Sequence, residues 1–289
     1  MADFPVAVIT DEFTQDFAKI CDTAVELDIP GLELRTAWDT NVVDMSDEQI
    51  GEIKRLADAS GRKIVGLSSP VFKCTHPNSG AIDERFEQDA FHAAHSFDDQ
   101  PRILARALEI ANKLEAPIVR VFSFWRSVEP TSMTDVVVET LAGAIETSRA
   151  AGVKIGLENE HACNIATGAE CAPILGRITE SEFFGIVWDP ANAYVSGETA
   201  FPDGYSQVSA SRILHVHAKD GVMPDGGDRM DWGDVGAGRV NWEGQLSALK
   251  ADGYTGGVSL ETHWGGPGGD KFQGSVICAK SLKRLVAAA

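Results

Sequence analysis

Four polar stations close four apolar runs in the second half of the chain. They read Gly-Leu-Glu158-Asn-Glu-His161, Ile-Val-Trp-Asp189-Pro-Ala-Asn192, Leu-His215-Val-His217-Ala-Lys219-Asp220 and Ser-Leu-Glu261-Thr-His263-Trp264. Two Glu, one Asp and one His make a mixed oxygen and nitrogen donor set for one divalent cation. No thiolate joins them, so hard ions come first: Mn2+ ahead of Mg2+ and Co2+, with Zn2+ and Fe2+ behind. Isolated carboxylates buried at such positions would be very costly, and a shared cation relieves all of them at once. The structural alternative is a set of salt bridges to Arg or Lys, and a single basic residue cannot satisfy three carboxylates.

Strand side chains alternate faces, so His215 and His217 share one. His217 lies nearer the carboxyl end of its run and is the expected ligand. His215 should sit one layer deeper, as a filling residue or as a support for the ligands.

Something must bring four run ends to one rim, and a closed parallel α/β barrel does so. Eight apolar, β-branched runs are present, at residues 6–10 (β1), 31–35 (β2), 64–68 (β3), 118–124 (β4), 154–158 (β5), 184–189 (β6), 213–218 (β7) and 257–261 (β8). Helical periodicity marks 16–27, 46–59, 103–114, 133–151, 242–251 and 271–287 between them. Ser46 followed by Gln49 is a capping-box pattern, and Gly61 a stop. Alternating strands and helices imply a parallel sheet, and eight strands close it. Two connections are long: 71–100, with Cys74, His76, His92 and His95, and 220–241, rich in Gly and Asp. Long β-to-α connections are where barrels place binding elements and lids. No linker divides the chain, so residues 1–289 are expected to form one domain.

With 289 residues and 44% hydrophobic content, the chain suits one large core. Its net charge of -18 repels phosphate backbones and argues against a nucleic-acid partner. Five scattered cysteines without a CxxC pair indicate neither a zinc ribbon nor a disulfide framework. No basic-apolar leader or membrane-length apolar run is visible, so the cytoplasm is the expected compartment.

The four stations resemble the xylose isomerase-like TIM barrel superfamily, specifically its sugar phosphate isomerase/epimerase branch. "VITDEF", "GLELR", "LSSPVFKC" and "VRVFSFWR" in the first half are similar as well. The resemblance implies a single-domain (β/α)8 TIM barrel in which Glu158, Asp189, His217 and Glu261 bind one divalent metal. It also implies that Glu158 and Glu261 serve as catalytic acid and base, and that the barrel is a dimer or tetramer. Two positions depart from the ketose 3-epimerase pattern. Asn192 stands where those enzymes have His, and Met223 where they have Arg; Arg229 or Arg239, in the same connection, is a candidate replacement.

Such a site is expected to remove a proton beside a ketone, the cation stabilising the enediolate that forms. The expected substrate is a small carbohydrate. His161, Asn192, Lys219, His263 and Arg229 are candidate substrate contacts. Glu33 and Arg35 at the end of β2, and Arg126 after β4, read as a rim ion pair. Trp38, Trp125 and Trp264 near strand ends could stack on sugar faces or simply pack. An inosose-type dehydratase and a hydroxypyruvate-type isomerase would share the metal site. A sugar-binding barrel without activity is the alternative of a different class. An apurinic-site endonuclease shares the barrel, but would need further His ligands, one of them at Asn192, and a basic DNA face.

Overall fold

A computed structural model describes residues 4–86, 91, 93–179, 182–225, 227 and 229–289. Eight parallel strands close a barrel: β1 Val6–Ile9, β2 Gly31–Leu34, β3 Lys63–Leu67, β4 Ile118–Val121, β5 Lys154–Glu158, β6 Phe184–Trp188, β7 Ile213–Ala218 and β8 Val258–Leu260. Neighbours run in chain order, and β8 pairs with β1. The strands read as apolar runs because residues facing the helices and residues facing the barrel axis are alike buried.

The helices are α1 Phe17–Glu26, α2 Asp47–Ser60, α3 Gln100–Leu114, α4 Thr134–Ala151, α5 Gly168–Arg177, α6 Pro190–Val195, α7 Trp242–Ala251 and α8 Lys271–Ala288. The capping box at Ser46 and Gln49 is formed, and Gly61 ends α2 in the left-handed region at φ 67°. Sequence periodicity named no helix between β5 and β6. There α5 carries Pro173 in its interior, which reads as a breaker, yet Thr167 and Glu170 close a second capping box. Nor did it name α6, only six residues long.

β4 is shorter than expected. Beyond Val121 the chain leaves the barrel ladder. Phe122 and Phe124 instead donate their amides to the carbonyls of Val71 and Phe72, in the long connection after β3. His92 of that connection lies outside the described residues. Two small antiparallel ribbons decorate the carboxyl rim: Thr36–Ala37 with Thr40–Asn41, and Asp220–Val222 with Asp231–Gly233. The second is gathered by Asp220. Its buried carboxylate accepts from the backbone amides of Gly221, Gly236, Gly238 and Val240 at 2.8–3.1 Å.

Register shifts interrupt the ladder at Leu32/Glu33 in β2 and at Ile186/Val187 in β6. In each, the extra residue lies on the partner strand, Val65 of β3 and Leu214 of β7, and irregularities of this kind re-aim the side chains beside them, here next to Glu33 and His215. The barrel interior is accordingly polar. Glu33, Ser68, Arg120, Glu158, His215, His217 and Ser259 are all buried, where many barrels stack branched apolar residues. Room for the His215 ring comes from Gly257, where a Cβ would stand 3.0 Å from the imidazole. Among the described residues, no helix is long and apolar enough to cross a membrane.

Candidate metal centre

The four stations converge. One donor atom each from Glu158, Asp189, His217 and Glu261 can be chosen so that all lie within 4.8 Å of one another, and all four residues are buried. Glu158 ends β5, and its Oε1 stands 3.1 Å from His217 Nδ1. Asp189 is the N-cap of α6. Its Oδ1 accepts from the amides of Ala191 and Asn192, both at 2.9 Å. The Asp-Pro order suits this cap, since proline tolerates the first helical position. The other oxygen, Oδ2, is left for the cluster. Glu261 follows β8, with Oε2 3.6 Å from His217 Nδ1.

The carboxylates are not alone. Arg120 lies 3.0 Å from Glu158 Oε2, and Arg35 lies 2.9 Å from Glu261 Oε1. Lys219 Nζ is 2.8 Å from both Asp189 Oδ2 and Glu261 Oε2. This corrects the expectation that one basic residue would have to serve three carboxylates: three separate cations do so, each buried. Yet Glu158 Oε2 and Asp189 Oδ2 have no hydrogen-bond donor in line. Two buried carboxylate oxygens that are ion-paired but accept no aligned hydrogen bond, inside a compact N/O cluster, fit a divalent cation held by these four residues.

The electrostatics follow. Burial pushes the Asp189 carboxyl up to about 7 despite Lys219. Burial also raises Glu261, but Lys219, His217 and Arg35 outweigh it and hold the carboxyl well below its ordinary range. For His217, burial favours the neutral ring; Glu33 and Glu158 reverse this and raise it well above the usual imidazole value.

Around this core, Asn192 donates to the Asn159 carbonyl at 2.9 Å and to Glu160 Oε2 at 3.0 Å. Its own oxygen lies 2.8 Å from Nδ1 of half-buried His161. His263 is exposed, packed on Trp232 at 4.9 Å between ring centres, with a ring nitrogen in reach of Glu12 and Glu261. Arg229 and Arg239 are both exposed, and neither takes part in the contacts that hold the cluster.

The expected ion pairs of Glu33, Arg35 and Arg126 take other partners. Arg35 binds Asp11, Glu12 and Glu261; Arg126 binds Glu170 of α5 at 2.7 Å; Glu33 meets His215 and His217. Arg120 was not singled out from the sequence. The available signal was an arginine inside the apolar run Ile-Val-Arg-Val, since a buried arginine requires a partner. Lys73 was missed too. It lies 3.9 Å from Glu160, with Phe91 and Phe122 at 4.4 and 4.5 Å. Phe91 also covers Arg35 at 4.2 Å. Trp125 stands beside Lys73, at 5.6 Å, while Trp38 packs on Phe17.

This barrel, with its ligand-type residues at the carboxyl rim, matches the xylose isomerase-like TIM barrel family over residues 21–282, and the chain belongs to that family. An uncharacterized protein of Methanocaldococcus jannaschii is 30% identical over 125 residues, or 42% of this chain; the match spans 41% of that relative's length. Among solved structures, the IolI protein with a bound zinc atom superposes with a TM-score of 0.78 at 16% identity, covering 98% of both chains. A D-tagatose 3-epimerase-like protein gives 0.72 at 19% identity, covering 98% of this chain and 97% of its own. At such identities these two likenesses establish the fold.

Proposed function

We propose that the protein is a divalent-metal-dependent isomerase or epimerase that abstracts a proton beside the carbonyl of a small sugar or sugar-like ketone. The observation that carries this reading is the convergence of Glu158, Asp189, His217 and Glu261 in one buried cluster of oxygen and nitrogen donors. Membership of a family whose structural neighbours include a zinc-bound protein and an epimerase-like protein supports it.

A cation bound by these four residues supplies the positive charge that an enediolate needs as its proton leaves. Glu158 and Glu261 move the protons. They stand on strands three places apart around the barrel, so a substrate between them meets a carboxylate on either side. Glu261 is ionised at neutral pH and available as base. Lys219, beside Asp189 and Glu261, balances negative charge that develops on the substrate. Asn192 accepts from His161 Nδ1–H, which leaves the other ring nitrogen of His161 as an acceptor for a substrate hydroxyl, in place of the His of ketose 3-epimerases. Phe91 packs its ring over Arg35 and Lys73, an aromatic face beside the two cations.

The test is elemental analysis of the purified protein beside Glu261→Ala, followed by solvent-deuterium incorporation into ketoses and inososes with the metal supplied. Near-stoichiometric metal, lost in the variant, with deuterium entering a recovered substrate, is the expected result. Elimination of water without exchange would move the assignment to a dehydratase. A wild-type protein that takes up no ion when supplied would sink the reading.

A further inference from the structure

The His217 ring has two nitrogens, and only Nδ1 faces the ligand cluster. The other, Nε2, lies 3.0 Å from Glu33 Oε1. Glu33 is buried at 2% exposure on β2, across the barrel from β7. Its other oxygen, Oε2, lies 3.0 Å from His215 Nε2, which is itself 2.7 Å from Ser259 Oγ. Ser68 of the neighbouring strand end donates its hydroxyl to Glu33 Oε1. Three side chains, His215 and His217 of β7 and Ser68 at the end of β3, thus fix one carboxylate beneath the ligands, with Ser259 of β8 behind His215, at the register shift Leu32/Glu33.

We propose that Glu33 is a positioning residue for metal binding: it holds His217 by Nε2–H, so that Nδ1 is the nitrogen presented to the ion. The proposal rests on the reading of Glu158, Asp189, His217 and Glu261 as the holders of one divalent cation. An ionised carboxylate only accepts hydrogen bonds, so the proton shared with His217 sits on Nε2. A metal takes Nδ1 by displacing the proton that this nitrogen shares with Glu158 Oε1 at 3.1 Å, while the hydrogen bond at Nε2 stays and sets both ring orientation and donor strength. His215 and Ser259 play no part at the cluster; they stop Glu33 from turning away. The geometry also offers a competing arrangement, since Glu33, His215 and His217 could themselves group around an ion. In that case Glu33 would be a ligand of a second metal.

The experiment is Co2+ binding by the full chain, measured by competition with a chelator. It compares wild type, Glu33→Gln and Glu33→Asp, with far-UV circular dichroism confirming that each variant is folded. Wild type is expected to bind one Co2+ per chain. Glu33→Gln should also bind one, about 10–100-fold more weakly. Its visible cobalt spectrum should change, a readout that loss of packing alone would leave untouched. Glu33→Asp, which keeps the carboxylate, should recover part of the affinity, and it carries the comparison if Glu33→Gln does not fold. Equal affinity and spectrum in all three proteins would overturn the proposal while leaving the metal site standing. Two ions in wild type falling to one in Glu33→Gln would overturn it in favour of a second metal. No binding by wild type would overturn the metal reading itself, and this proposal with it.

Discussion

The two halves of the barrel do different work at the same rim. Strands β5 to β8 deliver Glu158, Asp189, His217, Lys219 and Glu261, all within a few residues of a strand end. Strands β1 to β4 deliver almost no ligand-type groups to the cluster but supply Arg35, Arg120 and Glu33. The second half gathers negative charge, and the first half supplies most of what makes that gathering tolerable. Concentrating three carboxylates in a buried volume requires compensating cations: Arg35 and Arg120 come from the opposite wall, and Lys219 from the end of β7 itself.

The comparison breaks most visibly at Glu261. Glu261→Ala should lose the bound metal and reduce any turnover by at least about 10²–10⁴-fold, the usual contribution of a positioned acid or base. Elemental analysis and a deuterium-exchange assay read both effects, and full metal content with full activity would refute the division of labour. Next is Arg120→Met. Removing one partner of a buried ion pair costs about 3–5 kcal/mol, here by stranding Glu158. The loss should be larger for metal-free protein than for metal-loaded protein, because the ion takes over the missing charge; denaturant titrations of the two forms test this. Metal addition to the wild type sharpens the same point from the other side. An ion at 100 times its Kd should raise stability by about 2.7 kcal/mol, seen as a higher thermal midpoint that chelator reverses.

The smallest effect concerns Glu160. Burial raises its carboxyl, but Lys73, His161 and Lys219 outweigh burial and hold it at about 2. A carboxyl depressed in the folded state contributes stability that is present above its ordinary value near 4.5 and is lost as the pH falls toward 2. Unfolding free energies measured from pH 6 down to pH 3 should therefore fall more steeply in wild type than in Glu160→Gln. Parallel slopes would remove Lys73 and its aromatic neighbours from the account.

The two halves also differed in how far the sequence could be read. The four stations were legible because each pairs a strand-like run with a ligand-type residue at its end, and all eight strands were found within a few residues. Glu33, Arg35 and Arg120 were not readable in the same way. Glu33 and Arg35 are two apart on one strand, a spacing that suggests an ion pair. Glu33 meets His215, 182 residues away, and Arg35 meets Glu261, 226 residues away, as well as the nearer Asp11 and Glu12, and only barrel closure brings the distant pairs together. Arg120 gave only an arginine in an apolar run, with nothing to say which carboxylate it meets. The helix α5 was hidden by Pro173, whose disruption is offset by a capping box that spacing alone would have shown.

Asp220 carries a separate consequence. It holds residues 221–240 by gripping main-chain amides and no side chain. Much of the loop's anchoring is therefore independent of its own side chains, those of Asp234, which accepts from Ser281, and of buried Val235 and Val240 excepted. A descendant of this chain could rewrite most of that segment, and with it whatever the segment touches, without moving its ends. Three glycines are exceptions: a Cβ at Gly238 would stand 2.2 Å from the Asp220 carboxylate, one at Gly221 would stand 2.4 Å from the Asp231 carbonyl, and Gly236 lies at φ 90°. The barrel thus contains a segment beside the ligand cluster, reaching Lys219 and His263 through Trp232, whose interior can vary while its ends stay in place.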